Sequence, residues 1–372
     1  MPLFSQSMMR AARYHEFGGD ILVEEVPKPS APPGGVVVKV MATGVCRSDW
    51  HGWRGHDSDI VEHGLPFTPG HELSGIVVEL GEGTTNFAVG DRVAVPFILS
   101  CGACRQCSRG RSTVCESQAQ PGFTVHGSMA QFVALPRADR NLCKLPPEVT
   151  YIAAAALGCR TTTAFRAVVQ RGDVRAGDVV VVWGCGGLGL SAVMVAVAQG
   201  ARVIAVDTSG PACEKARELG AFACVDATGK GGELGETGSL LAAQQAAAQV
   251  VAITPDGVGA DVAFDCAGFA STSEGACWSV RRAGRVVQVG LPIGGRDTVV
   301  PMARVANQEL EIVGSHGLAA DDMPRVLAMV ASGKLRPQDL IEREVDLEEG
   351  ARAIAAMDDG SPLGMTMVTS FE

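Results

Sequence analysis

The sequence predicts an α/β protein in which a doubly wound parallel sheet accompanies a second, mostly β domain. Three observations carry that expectation. At 372 residues the chain exceeds the size at which one hydrophobic core stops growing, so two domains are expected. The first 150 residues run as short β-type segments punctuated by Gly and Pro. Beyond Tyr151, apolar strands alternate with helical segments, the pattern of a parallel sheet with helices on both faces. The expected boundaries are a first domain over 1–160, a sheet domain over 161–314, and a return to the first domain over 315–372.

In the first domain the segments 21–26, 36–43, 73–80 and 92–96 read as strands, with loops such as Ala31-Pro-Pro-Gly-Gly35 between them. The Ala- and Thr-rich stretch 151–170 reads as a helix. The continuous apolar run 179–183 is a buried strand, followed by a glycine turn and a helix over 188–199. A strand over 202–206 and a helix over 211–219 come next, then strand candidates at 222–225, 261–266, 285–289 and 310–314. Residues 229–238 are Gly-rich, and the Ala/Gln run to about Gln249 reads as an exposed helix, together an insertion without identifiable chemistry. The tail is helical, then β-like.

Composition narrows the partners. Hydrophobic residues make up 47% and charged ones 19%, enough for packed interiors, and the formal net charge of -10 argues against nucleic acid or an anionic membrane. No apolar run is long enough to span a bilayer. The N-terminus lacks a charged start followed by an apolar stretch, Met8 or Met9 could open the folded chain, and a cytoplasmic location is expected. Thiols stay reduced there, so disulfides are not expected.

The turn after the first apolar strand is Gly184-Cys-Gly186-Gly187-Leu188-Gly189. It follows a strand, opens a helix and precedes a second strand ending at Asp207, the context that gives this spacing meaning. The first glycine permits the tight turn, the second lets a pyrophosphate approach the backbone, and the third brings helix against strand. The helix N-terminus then faces the phosphates. Asp207 would accept hydrogen bonds from a ribose and repel a 2′-phosphate. The expectation is a Rossmann domain binding NAD rather than NADP.

Four cysteines fall within fifteen residues: Cys101, Cys104, Cys107 and Cys115. Their spacing suits the closed tetrahedral thiolate shell of a structural zinc. Upstream stand Cys46-Arg47-Ser48-Asp49-Trp50-His51 and Pro69-Gly70-His71-Glu72. A Cys, a His and one further soft ligand describe a zinc site with an open position. Taken alone, Cys46 reads better as a core thiol and His71 as a satisfied loop histidine.

With Val89-Gly-Asp-Arg-Val93 added, these motifs together resemble the zinc-dependent alcohol dehydrogenases of the medium-chain dehydrogenase/reductase family, over nearly the whole chain. The resemblance implies a GroES-like catalytic domain beside the Rossmann domain. It implies a catalytic zinc on Cys46, His71 and, from Leu157-Gly-Cys159, Cys159, and a structural zinc on the four-cysteine cluster: two Zn2+ per chain. Ser48 matches the hydroxyl that meets the substrate oxygen and His51 the end of the proton relay. Asp49 and Glu72 match groups that orient ligands. Arg47 resembles a pyrophosphate contact; Thr163, Leu188, Val289 and Leu291 would line the nicotinamide. Phe97 and Trp53 are pocket candidates that could equally be core. Two cations common in relatives are missing here, Gly364-Met365-Thr366 offering no arginine and Ala212 replacing a lysine. The implied reaction interconverts an alcohol with an aldehyde or ketone, in a homo-oligomer with a tetramer favoured over a dimer. Two other readings are a zinc-free NAD(P)H alkene or quinone reductase and a non-catalytic NAD-binding protein.

Overall fold

The computed structural model describes residues 7–228, 236–292, 300–360 and 362–372, with backbone alone for 236–240. The chain divides into two compact units, Met1–Thr162 with Gly317–Glu372, and Thr163–His316.

The first unit opens with an antiparallel pair, β1 (Met8–Tyr14) and β2 (Ile21–Pro27). Then follow β3 (Val36–Val45), β4 (Glu72–Leu80), β5 (Arg92–Val95), β6 (Phe132–Leu135) and β7 (Cys143–Lys144). β3, β4 and β5 are successive antiparallel neighbours. Tyr14, Trp53, Phe67, Leu73 and Leu135 pack in the core of this unit.

The second unit holds β8 (Val179–Trp183), β9 (Arg202–Asp207), β10 (Ala223–Asp226), β11 (Ala260–Asp265), β12 (Val280–Gln288) and β13 (Glu311–Gly314). All pairings are parallel, in the order β10-β9-β8-β11-β12-β13. Strand order reverses between β8 and β11, which opens a crevice at their carboxyl ends. β8 is buried at all five positions because helices cover both faces, which is why it reads as an unbroken apolar run.

The chain then returns to the first unit with β14 (Ile341–Asp346) and β15 (Met365–Ser370). β15 runs antiparallel to β3, pairing Thr366 with Val45. No helix among the described residues is long and apolar enough to cross a membrane.

The structure corrects three sequence expectations. The stretch 151–170 is not one helix: it passes from Tyr151–Ala156 into a widened turn at Leu157–Thr161, because Gly158 leaves helical geometry (φ 15°, ψ -132°). The helix Glu236–Ile253 is not merely exposed. Ala243, Ala246, Ala247 and Val250 recur at helical spacing and pack into the second unit's core, while residues 229–235, expected as a loop, lie outside the described residues, as do Met1–Gln6. Finally, a disulfide joins Cys213 to Cys224, although none was expected. The helix Gly210–Glu218 turns back onto β10 and brings their Cα atoms to 5.7 Å, within bridging reach.

Candidate metal and cofactor sites

Cys46 closes β3 and caps the helix Arg47–Trp53. Asp49, in the first turn of that helix, is 1% exposed. Its Oδ2 accepts from the Cys46 backbone N–H at 2.9 Å. Its Oδ1 accepts from the Gly70 N–H at 3.0 Å and faces His71 Nδ1 at 2.9 Å. A carboxylate can only accept here, so Nδ1 carries a proton and Nε2 is the ring nitrogen left to face the thiols. That Nε2 is buried and has no hydrogen-bond partner. A buried polar atom left unpaired costs about 1–3 kcal/mol, so a partner belongs there.

Cys159 reaches the same place from the distorted turn. A Cβ on Gly158 would lie 2.4 Å from the Glu72 side chain, so only glycine permits this approach. Glu72 Oε1 accepts from the Cys159 N–H at 3.1 Å and from Arg160 Nε at 3.0 Å. Arg160 also gives a hydrogen bond to the Val45 carbonyl at 3.1 Å and forms an ion pair with Glu72. Donor atoms of Cys46, His71, Glu72 and Cys159 all lie within 4.8 Å of one another. Two thiols and an imidazole nitrogen without a hydrogen-bond partner among the described residues are a donor set that fits zinc.

The electrostatics favour positive charge at that point. A hydrogen bond from Cys159 pulls the Cys46 thiol well below its ordinary value, against burial and the Glu72 charge, while Cys159 is held up. Burial works against a charged His71, but Asp49 outweighs it and the ring is raised. Burial pushes Glu72 up too, and Arg160 more than compensates, keeping it ionised.

Around these donors the helix Arg47–Trp53 sets out the other expected residues. Ser48 and His51 stand three apart and so share a face. Ser48 is half-buried, and its hydroxyl has no hydrogen bond among the described residues. Arg47 lies over the Trp50 ring at 3.6 Å and bonds the Met357 carbonyl. Phe97 is buried with its ring 6.1 Å from that of His71. Trp53, read as either pocket or core, is 4% exposed within the core of the first unit, and its indole donates to the Gly19 carbonyl at 2.7 Å. Sequence reasoning missed Phe123, whose ring is 5.1 Å from His71, and Arg160. The signal for Arg160 was a lone charge beside Cys159 in an otherwise apolar stretch.

The sulfurs of Cys101, Cys104, Cys107 and Cys115 also lie within 4.8 Å of one another, and none is in a disulfide. Backbone N–H groups point at them: Cys104 at Cys101 Sγ (3.3 Å), and Cys101 and Ser117 at Cys115 Sγ (3.2 and 3.4 Å). Backbone N–H groups of Cys107 and Glu116 pull the Cys104 thiol down to about 6. Cys107 is pushed up to about 12, by burial first and then by its sulfur neighbours. Four convergent sulfurs fit a closed zinc site.

In the second unit the turn after β8 adopts φ 86° at Gly184, and its N–H bonds the Val206 carbonyl at 2.8 Å. A Cβ on Gly189 would fall 1.7 Å from the Gly184 oxygen, so helix Gly187–Ala198 packs on the turn only through glycine. A Cβ on Gly186 would meet nothing within 4 Å, which leaves a cradle at the helix N-terminus. Asp207 ends β9 and accepts from the Cys185 N–H at 2.6 Å and the Ser209 N–H at 2.8 Å. Turn, cradle and acid fit a dinucleotide. Leu188 lies in the first turn of the helix, and Val289 and Leu291 follow β12, with Leu291 70% exposed. Thr163 Oγ1 is buried without a partner.

The alcohol dehydrogenase GroES-like domain family matches residues 32–147, and the zinc-binding dehydrogenase family matches 187–332. An alcohol dehydrogenase of Geobacillus stearothermophilus is 33% identical over 353 residues, 95% of this chain and 96% of its own. An NAD-dependent alcohol dehydrogenase of Sulfurisphaera tokodaii is 30% identical, covering 96% and 98%. The solved alcohol dehydrogenase of Thermus sp. ATN1 superimposes with a TM-score of 0.85 at 30% identity, over 97% of this chain and 100% of that one. Likeness of this extent, spanning both units, makes the chain a member of the zinc-type medium-chain alcohol dehydrogenases.

Proposed function

We propose that this chain catalyses the reversible, NAD-linked interconversion of a small alcohol with its aldehyde or ketone, using two Zn2+ per chain. The observation that carries the reading is the buried His71 Nε2, unpartnered and oriented by Asp49 between two cysteines. Cys46, His71 and Cys159 would hold the catalytic ion, and Cys101, Cys104, Cys107 and Cys115 the structural one. A zinc ion at the first site supplies Lewis acidity toward an oxygen, and NAD supplies the hydride acceptor.

The chain's own residues do the rest. Glu72 and Asp49 fix the ligands and keep their tautomer and charge. Ser48 Oγ, without a hydrogen bond among the described residues, takes the proton from the substrate hydroxyl, and His51 on the same helical face receives it on the way to solvent. Phe97 and Phe123 wall the His71 ring and exclude water there. The second unit binds NAD at Gly184–Gly189, with Asp207 on the ribose and Thr163, Leu188, Val289 and Leu291 toward the nicotinamide. Arg47 would turn from Met357 to the pyrophosphate. A cytoplasmic homotetramer, without nucleic-acid or membrane partners, goes with this reading and with the net charge of -10.

Metal analysis and Cys46→Ser test it together. Wild type should carry two zincs and form NADH from an alcohol panel. The variant should stay folded, keep one zinc and lose turnover. A Cys46→Ser protein that turns over normally would overturn the assignment.

A further inference from the structure

The proton path proposed above reaches His51, which is half-buried and paired with a more exposed histidine. Its Nδ1 lies 3.1 Å from Nδ1 of His56. At that distance two imidazole nitrogens hold one proton between them, one donating and the other accepting. The pairing is built by the backbone. After the helix Arg47–Trp53, Arg54 and Gly55 turn the chain, and the His56 N–H bonds back to the His51 carbonyl at 2.9 Å. Trp50 packs edge-on against both rings, with centroids 4.7 and 5.5 Å away. His51 is half-buried, and His56 is exposed.

We propose that His56 is a positioning residue which extends the proton path, sharing a proton with His51 through the paired Nδ1 atoms and delivering it to solvent. This rests on the reading of His51 as the relay residue. In the oxidation direction a proton arrives at His51 Nε2. The Nδ1–H bond of His51 breaks as an N–H bond forms at His56 Nδ1, and the Nε2 proton of His56 leaves to water. One proton enters, one leaves, and no electrons are transferred. Tautomer exchange with water at both rings, His51 through its partly exposed edge, resets the pair for the next proton.

The surroundings set the direction. Burial, then the Arg47 charge, then His56 disfavour a charged His51, whose imidazole is lowered to about 4. Arg54 and Asp358 balance one another beyond Trp50, joined at 3.0 and 2.8 Å, and Asp57 is turned to cap the next helix through the Asp59 N–H. The half-buried His51 ring therefore does not retain the positive charge, and its Nδ1 contact offers the proton a way out.

The test compares wild type with His56→Ala, His56→Gln and His51→Ala, each zinc-loaded. Imidazole titrations followed by NMR need no turnover. Losing the like charge beside it, His51 should titrate at higher pH in His56→Ala than in wild type. In alcohol oxidation, His56→Ala should lower kcat roughly tenfold below neutral pH with KM for alcohol unchanged, and added imidazole should restore it. An unmoved His51 titration together with a superimposable pH–rate profile in His56→Ala would overturn the proposal while leaving the relay intact. Should His51→Ala also keep the wild-type profile, the relay reading itself fails and takes this one with it.

Discussion

Arg160 shows at the scale of one residue how a buried charge is made tolerable. It is 8% exposed and lies against Glu72, which is fully buried. Neither charge is affordable alone, whereas together they hold the Cys159 backbone and the end of β3. Arg160→Met leaves Glu72 uncompensated and should cost about 3–5 kcal/mol, a fall in Tm of roughly 10 °C. Adding Glu72→Gln should recover much of that loss; a double variant melting as low as the single one would show that the stranded charge is not the cause. Glu72 was legible through its motif, but its pairing with Arg160 was not, since the two stand 88 positions apart and nothing in the spacing joins them. His71 was legible only through resemblance. A lone histidine after Pro-Gly acquires meaning when Asp49, itself three residues from Cys46, is seen holding its other nitrogen.

Among the elements, the glycine turn separates packing from binding. Gly189→Ala places a methyl 1.7 Å from the Gly184 oxygen and should destabilise the second unit itself. Gly186→Val points into open space, so the protein should melt as wild type while NADH fluorescence titration shows affinity reduced at least about tenfold. Lost stability in Gly186→Val would mean that the cradle is packing rather than a binding surface. The cysteine loop makes the complementary case. It contains only two three-residue helical turns, Cys107–Arg109 and Ser112–Val114, so its shape depends on what the sulfurs hold. Cys104→Ser should remove one zinc and lower Tm while the other zinc stays; an unchanged melt would deny the loop a structural metal. Both elements were legible because their residues are close in sequence and their spacing is their chemistry. The Cys213–Cys224 bridge was not, because it depends on a helix turning back onto β10, and compartment reasoning pointed away from it.

For the whole molecule, the fold was legible because alternation of apolar strands and helices leaves few topologies, and the order β10-β9-β8-β11-β12-β13 is one of them. Assembly was not legible, since it depends on surfaces rather than periodicity. β13 ends that sheet with its outer edge unpaired among the described residues, and Ile312 on it is 40% exposed. Such an edge invites another strand, which supports the proposed oligomer. Ile312→Lys should therefore yield a smaller species by light scattering with its zinc content unchanged, and an unaltered mass would remove β13 from the assembly. A last consequence comes from β15, which follows the whole second unit in the chain yet is seated beside β3 where β3 hands over to Cys46. On the ribosome the second unit emerges complete while the first still lacks its closing strand. The metal-binding end of β3 must wait, half-framed, until β15 has been made, so a chain released before that strand has its nucleotide fold but not the frame of its chemistry.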